Sequence, residues 1–247
     1  MKVFKIGRYL MLGLVAGALA QTSQGAGRVT GFEPSDPALT GFGDVSIQGT
    51  FQGQASPEGT KQALATTISS TDGDGKPSVS GTNAVTTTLF NGATVGGVQN
   101  SGILIPFNVS AGDLQLTFQY DFLSNEPNQT TVRPDFAFLG VFNGTTNALI
   151  GSFNHFATAS AAFPSTLFGA GNPFIFHSGI QSFTLSLVGF VPGSYKLGLG
   201  VVDVTSNDGA TGLLIDNVQV VVPEPSTIGL IMAGAVSCLA VRRRIRK

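Results

Sequence analysis

The middle of this chain is written in short alternating stretches. Leu114, Leu116, Phe118, Tyr120 and Phe122 are separated by Gln115, Thr117, Gln119 and Asp121. A period of two predicts a strand with one face in a core and the other in water. Ser182 to Leu187 alternates in the same way, and Asp44 to Phe51 reads as an early strand. Tyr195 to Val204 is a longer one, in which Gly198 and Gly200 leave room for close approach. Phe136 to Phe142 is almost wholly apolar, as in a strand buried on both sides, and Leu149 to Phe153 can pair with it across Asn143-Gly144-Thr145-Thr146-Asn147. Gln62–Ile68 and Leu104–Phe107 add shorter candidates, and Leu213–Val222 a last strand. Ala84–Phe90 fits a strand or a single helical turn, and Ala157–Pro173 is rich in small residues and reads as irregular. Eight to ten strands without a helical layer predict an all-β fold, an antiparallel two-sheet β-sandwich.

The pattern changes at both ends. Lys2, Lys5 and Arg8 precede an apolar run, Leu10 to Leu19, which is short for a membrane span. Ala18-Leu19-Ala20 and Gln24-Gly25-Ala26 are small-x-small cleavage candidates. These features describe a secretory signal peptide over residues 1–26, removed by signal peptidase; an uncleaved anchor is the alternative. At the other end Pro223-Glu224-Pro225 is followed by the apolar run Ile228–Val241 and by Arg242, Arg243, Arg244, Ile245, Arg246 and Lys247. The 17 residues from Pro225 to Val241 carry no charge. As one hydrophobic helix they extend about 25 Å, and snorkelling Arg and Lys side chains make up the difference to a hydrocarbon core of about 30 Å. The positive-inside rule keeps the basic cluster cytoplasmic.

With its Pro-Glu-Pro turn, small-and-aliphatic helix and Arg cluster in that order, this tail resembles the PEP-CTERM sorting signal of bacterial exported proteins. The resemblance covers about the last tenth of the chain. It implies an inner-membrane intermediate and an exosortase-type membrane protease as partner, cutting near Pro223-Glu224-Pro225, with Arg242, Arg243 and Arg244 as the basic part of the signal. An ordinary membrane anchor is the plainer reading. The chain then divides into a signal peptide (1–26), an exported domain (27–222) and a sorting segment (223–247).

Composition matters once these ends are set aside. The whole chain has a formal net charge of −1, but Arg28 to Val222 holds five basic and thirteen acidic residues, a net of −8. An acidic exported domain argues against nucleic acid or anionic lipid as a partner and suits a soluble protein or one that binds divalent cations. The single cysteine, Cys238, lies in the tail, so the domain has neither disulfide nor thiol chemistry.

Thr30-Gly31-Phe32-Glu33 and Leu213-Leu214-Ile215-Asp216-Asn217-Val218 resemble the first and last strands of carbohydrate-binding-module-like jelly rolls. The resemblance implies a jelly-roll-like arrangement of the sandwich and a structural Ca²⁺ between the chain ends, held by Glu33 and Asp216 with Asp44 as a third ligand. Capping of strand ends by hydrogen bonds is the other role for Glu33 and Asp216. The Asp72-Gly73-Asp74-Gly75 loop lacks the third acid and final Glu of an EF-hand and reads as a turn. Sugar stacking is poorly provided for, since the chain has no Trp and most Phe sit at alternating core positions; Tyr120 and Tyr195 are the polar aromatics left.

Catalytic signals are few. His155 and His177 stand without an HxH or HxxxH partner, and no nucleophile elbow, Walker loop or dinucleotide fingerprint occurs. Thirteen acids allow many carboxylate pairs and single out none. The reading is an exported, non-catalytic β-sandwich sorted to the cell surface or an exopolysaccharide matrix. A carbohydrate-binding module and, after it, a secreted polysaccharide hydrolase are the alternatives.

Overall fold

The computed structural model of the chain describes residues 27–36, 39–68, 99–125, 135–159, 166–168, 173–204 and 210–221. The predicted signal peptide, the sorting residues Pro223 to Arg244 with their helix, Cys238, the Asp72–Asp74 loop and Ala84–Phe90 lie outside these residues.

The strands are β1 (Gly27–Thr30), β2 (Thr40–Phe42), β3 (Asp44–Gln48), β4 (Thr50–Phe51), β5 (Gln54–Ala55), β6 (Gln62–Thr66), β7 (Gln99–Val109), β8 (Gln115–Ser124), β9 (Phe136–Asn143), β10 (Leu149–Thr158), β11 (Thr166–Leu167), β12 (Phe176–His177), β13 (Gln181–Ser186), β14 (Gly193–Asp203) and β15 (Thr211–Val221). Ten have four residues or more, and no helix occurs among the described residues. One sheet runs β11-β12-β8-β15-β6-β3, with β1 also on β15 and β13 also on β8; the other runs β10-β9-β14-β7-β2, and β4-β5 is a small hairpin. All pairings are antiparallel. The chain changes sheet repeatedly, from β7 to β8 to β9 and again from β13 to β14 to β15, which is the jelly-roll habit. The predicted two-sheet sandwich is therefore the observed one.

The main core lies between the sheets. Ile103, Ile105, Leu139, Leu197 and Leu199 from one side meet Leu116, Phe118, Phe122, Leu213 and Ile215 from the other. Phe136–Asn143 is buried along nearly its whole length, as its unbroken apolar run predicted, and β10 pairs with it across the expected hairpin. Its outer face is roofed by aromatic rings lying over glycines. A Cβ on Gly200 would stand 2.7 Å from the Phe138 ring, one on Gly102 2.8 Å from the Phe42 ring and one on Gly140 2.7 Å from the Phe153 ring. Glycine is thus needed at these strand positions for close approach.

Two expectations change. β7 is eleven residues long, well beyond Leu104–Phe107, because β14 pairs with it from Gly193↔Val109 to Asp203↔Gln99. The outer face of the larger sheet is also not simply in water. Phe51 and Phe174 cover Leu64, Leu123 and Leu214 there, forming a second apolar cluster that also takes in Ile68 and Ala210. Asp121, assigned to the solvent face by alternation, is only 2% exposed, held against His177 and Ser178.

Candidate functional site

The chemistry-bearing residues gather where β15 changes partners. Its first half pairs with β6, up to Ile215↔Ala63, and its second half with β1, from Val218↔Thr30. The register against β8 slips between Asp216 and Gln219. Leu213, Ile215, Val218 and Val220 all face the main core. The apolar positions move from odd to even numbers there, so one extra residue must be absorbed, which is what a β-bulge does. Asn217 takes it up with a left-handed φ of 52°, a conformation Asn tolerates better than most residues. The amide of Asn217 donates to Gln119 Oε1 at 2.9 Å, tying the bulge to β8.

The bulge turns Asp216 onto the loop between β5 and β6. Its carboxylate accepts from Ser56 Oγ at 2.6 Å, Glu58 N at 2.8 Å and Asn217 N at 2.7 Å. Burial pushes its pKa up, with the Glu58 carboxylate adding to the shift and the donors opposing it. Glu33 holds the same loop further along, accepting from Thr60 N at 2.5 Å, Lys61 N at 2.9 Å and Thr60 Oγ1 at 2.7 Å. It is delivered by a tight turn after β1. Asp36 Oδ2 accepts from Thr30 Oγ1, Gly31 N and Glu33 N, and holds Phe32 at a left-handed φ of 61°. Gly59 passes so close that a Cβ there would lie 2.3 Å from Glu33 Oε1.

The structure therefore brings Glu33 and Asp216 to one loop, from opposite ends of the domain sequence, and leaves Asp44 elsewhere. Asp44 pairs with Thr66, whose hydroxyl donates to Asp44 Oδ2 at 2.5 Å. Thr66 in turn faces Gly212, four residues up β15 from Asp216 and so about 13 Å away at strand rise. The three acids predicted as one calcium site do not share a centre, and no group of three His, Cys, Asp or Glu suited to a metal occurs among the described residues.

A different oxygen set does converge. Ser56 Oγ lies 2.9 Å from Lys61 O and 2.6 Å from Asp216 Oδ2, and also against Glu58 O. A hydroxyl has one proton and cannot donate to three acceptors at once. The remaining contacts set lone pairs against lone pairs. Two carbonyls, a carboxylate and a hydroxyl are donor types that a hard cation takes, four of the roughly six to eight oxygens that Ca²⁺ needs.

Next to Asp216 is a shallow groove lined by Gln54, Pro57, Gln62, Gln119 and Asp121 among others, with about 210 Å³ of space including open solvent. The enclosed part of it is about 10 Å³, room for about one water, against the roughly 300 Å³ at which small-molecule pockets begin. Asp121 accepts from Ser178 Oγ at 3.0 Å and meets His177 Nδ1 at 2.9 Å. Its pKa is raised by burial, against the lowering effect of His177 and Ser178. The His177 ring stacks on Phe168 at 4.1 Å. Composition offered no signal for this node, because Asp121 and His177 are 56 residues apart. His155 lies apart from it, stacked on Phe136 at 3.8 Å. Tyr195 stacks on Phe107, and its hydroxyl donates to Val191 O at 2.7 Å. Tyr120 packs edge-on against Phe156. Both tyrosines are thus tied into packing.

Comparison with known proteins adds one match in sequence. Residues 221–244 match the PEP-CTERM protein-sorting motif. No curated protein matches the chain. Among solved structures the chain is similar to TmCBM61 in complex with β-1,4-galactotriose, with 8% identity and a TM-score of 0.39 over 78% of this chain and 90% of that one. It is similar to the K2 cleaved adhesin domain of Lys-gingipain, with 11% identity and a TM-score of 0.40 over 80% and 97%. A family 11 carbohydrate-binding module from Clostridium thermocellum, solved with a mixed-linked tetrasaccharide, follows at 8% identity and a TM-score of 0.38 over 81% and 97%.

Proposed function

From the sorting motif at residues 221–244, we infer that this protein is an exported, non-catalytic β-sandwich, anchored by its tail before exosortase-dependent processing and then displayed at the cell surface or in an exopolysaccharide matrix. The observation that carries this is the junction. β15 runs to Val221, and the matched sorting motif starts at that same residue of the sequence. Signal peptidase would first remove residues 1–20 or 1–26. Replacing Pro223-Glu224-Pro225 by alanines should trap unprocessed chain in the membrane of an exosortase-bearing cell. Release at the wild-type rate would refute the reading.

The non-catalytic part is supported by the acids at the groove. Asp121 and Asp216 have both carboxylate oxygens engaged by chain donors or His177, whereas an acid–base pair must present an oxygen to the substrate. Polysaccharide turnover abolished by Asp121→Asn would overturn it.

A carbohydrate-binding role is favoured by the Gln54 side chain and the Gln119 amide NH₂ along the groove, groups that hydrogen-bond sugar hydroxyls, whereas Gln62 is 2% exposed and donates to Gln54 O. Glycan-array binding weakened by Gln54→Ala and Gln119→Ala would support it, and an array without signal would retire it. In the same reading Ca²⁺ is held by Asp216, the Glu58 and Lys61 carbonyls and Ser56 Oγ, and its role is to pin the loop to the bulge. A melting point unchanged between EDTA and millimolar CaCl₂ would exclude it.

A further inference from the structure

The end of the sandwich from which the chain passes into its tail carries an apolar corner. Leu114 N donates to Val221 O, the last residue of β15, and Leu187 N donates to Leu114 O. Leu114 thus sits beside the exit and joins it to the loop Leu187-Val188-Gly189-Phe190-Val191-Pro192, which has no charged residue. Connecting loops ordinarily show polar residues to solvent. This one alternates. Leu187 is buried and Phe190 packs on Tyr195 at 5.3 Å, while Val188 and Val191 are each 71% exposed and Leu114 is 40% exposed. The loop is held in shape: Phe190 N donates to Leu187 O, Tyr195 Oη donates to Val191 O, and Gly189 supplies a φ of 93°. The outward valines are therefore presented by a fixed turn.

Covalent reach limits what can cover this corner. From Val221 to Pro225, where the uncharged stretch begins, is four residues, at most about 14 Å of chain. While the tail is in the bilayer, the corner lies within a side chain's length or two of the headgroups. The near elements contribute Asp113, whose carboxylate accepts from Ser110 N, and Arg28, which pairs with Gln219 two residues before the exit, so charge of one sign does not dominate this surface. Its chemistry is shallow apolar insertion, weak alone and made effective by the tether.

We propose that Leu114, Val188 and Val191 form a membrane-resting corner that seats the sandwich on the outer surface of the bilayer while the tail anchors it, setting the orientation in which the Pro-Glu-Pro segment is presented. This rests on the tail-anchored reading above. It also orients the molecule: the end of β15 at Val221 faces the bilayer, and the end at Thr211 points away.

The chain has no Trp, so a single introduced one is a clean reporter. The full chain carrying Val188→Trp, or Val191→Trp as a second reporter, is reconstituted in phosphatidylcholine vesicles with and without headgroup-proximal doxyl lipid. Leu167→Trp is the control. Leu167 is 69% exposed and, through Phe176 and Ser124, level with Thr211, about 33 Å from Val221 along β15. Flotation with the vesicles reports the tail, and emission reports the corner. The expected result is flotation of all three variants, with a blue shift and at least twofold quenching for Trp at 188 or 191 and none at 167. Flotation with equal quenching at both ends overturns the corner and leaves the anchor standing. A blue shift at 188 without doxyl quenching means that a protein surface, such as a second copy, covers the corner, and also overturns it. Failure to float removes the tail-anchored reading and this inference with it.

Discussion

Asp216 gives the sharpest test of how the domain is held together. Its carboxylate is 1% exposed and accepts three hydrogen bonds, two of them from backbone N–H groups. Asp216→Ala strands the donors at Glu58 and Asn217, and an unsatisfied buried donor costs about 1–3 kcal/mol. Part of that is returned, because burial already disfavours the ionised carboxylate, as its raised pKa records. A net loss of about 2–3 kcal/mol remains. For a domain of this size each kcal/mol lowers Tm by about 2–4 °C, so the variant should melt roughly 4–12 °C below wild type. Asp216→Asn keeps an acceptor oxygen but turns an NH₂ toward a donor, and should fall between the two.

The measurement is thermal unfolding of the exported protein by circular dichroism at pH 7, in EDTA and in millimolar CaCl₂. The EDTA comparison isolates the hydrogen-bond clamp. Wild type and Asp216→Ala melting within 2 °C of each other in EDTA would refute the reasoning, because the bulge and the Ser56–Lys61 loop would then not depend on the carboxylate. The calcium arm is separate: at a hundredfold excess over Kd a bound ion adds about 2.7 kcal/mol to wild type, and the alanine variant should lose that gain.

Asp121 should make stability depend on pH in the less common direction. Its folded-state pKa is raised above the ordinary 3.8, so the native state holds the proton longer than the unfolded chain, and stability is lost as pH rises from about 4 through the folded value. Melting curves from pH 4 to 7 should show wild type losing ground to Asp121→Asn; parallel curves would refute this. Gly200→Ala puts a Cβ 2.3 Å from Ser101 O, a backbone atom that cannot swing away, and should cost about 1–3 kcal/mol or more by overpacking, read as a lower denaturant midpoint. Asp135 accepts from Val204 N and Thr211 Oγ1, so Asp135→Ala should cost about 2–3 kcal/mol in the same assay.

Where a strand's own side chains decide its environment, the sequence was readable. The alternation Leu116, Phe118, Phe122 predicted the buried face of β8, and the unbroken run Phe136–Phe142 predicted a strand covered on both sides. It was not readable where distant segments decide. Alternation put Asp121 in water because nothing local says that His177 and Ser178, 56 and 57 residues on, lie against it. Asn100, Ser101 and Gly102 have little strand propensity, and their pairing with β14 extends β7 through them. At the candidate site Glu33 and Asp216 were legible as residues that come together. Asp44 was not, because its place depends on the register of β3 against β6. The shift of apolar residues from Leu213 and Ile215 to Val218 and Val220 is a local signal of the bulge. It required knowing only that all four are core.

The acids of this domain do much of the work that disulfides do in other exported proteins. The only cysteine is in the tail. Glu33 reaches residues 27 and 28 positions away, Asp121 residues 56 and 57 away, Asp135 residues 69 and 76 away, and Asp216 residues 158 and 160 away. A disulfide acts largely by restricting the unfolded chain, whereas these carboxylates act only in the folded one, by accepting from donors that, at Asp121, Asp135 and Asp216, are buried or partly buried. Such staples are indifferent to redox conditions and sensitive to pH. They also change what the net charge of −8 means. Of the thirteen acids between Arg28 and Val222, at least seven among the described residues, namely Glu33, Asp36, Asp44, Asp113, Asp121, Asp135 and Asp216, accept hydrogen bonds from the chain itself. The acidic excess is in large part architecture, so charge alone is no argument for a cation or a basic partner. Only a geometric observation such as the oxygen set around Ser56 carries one.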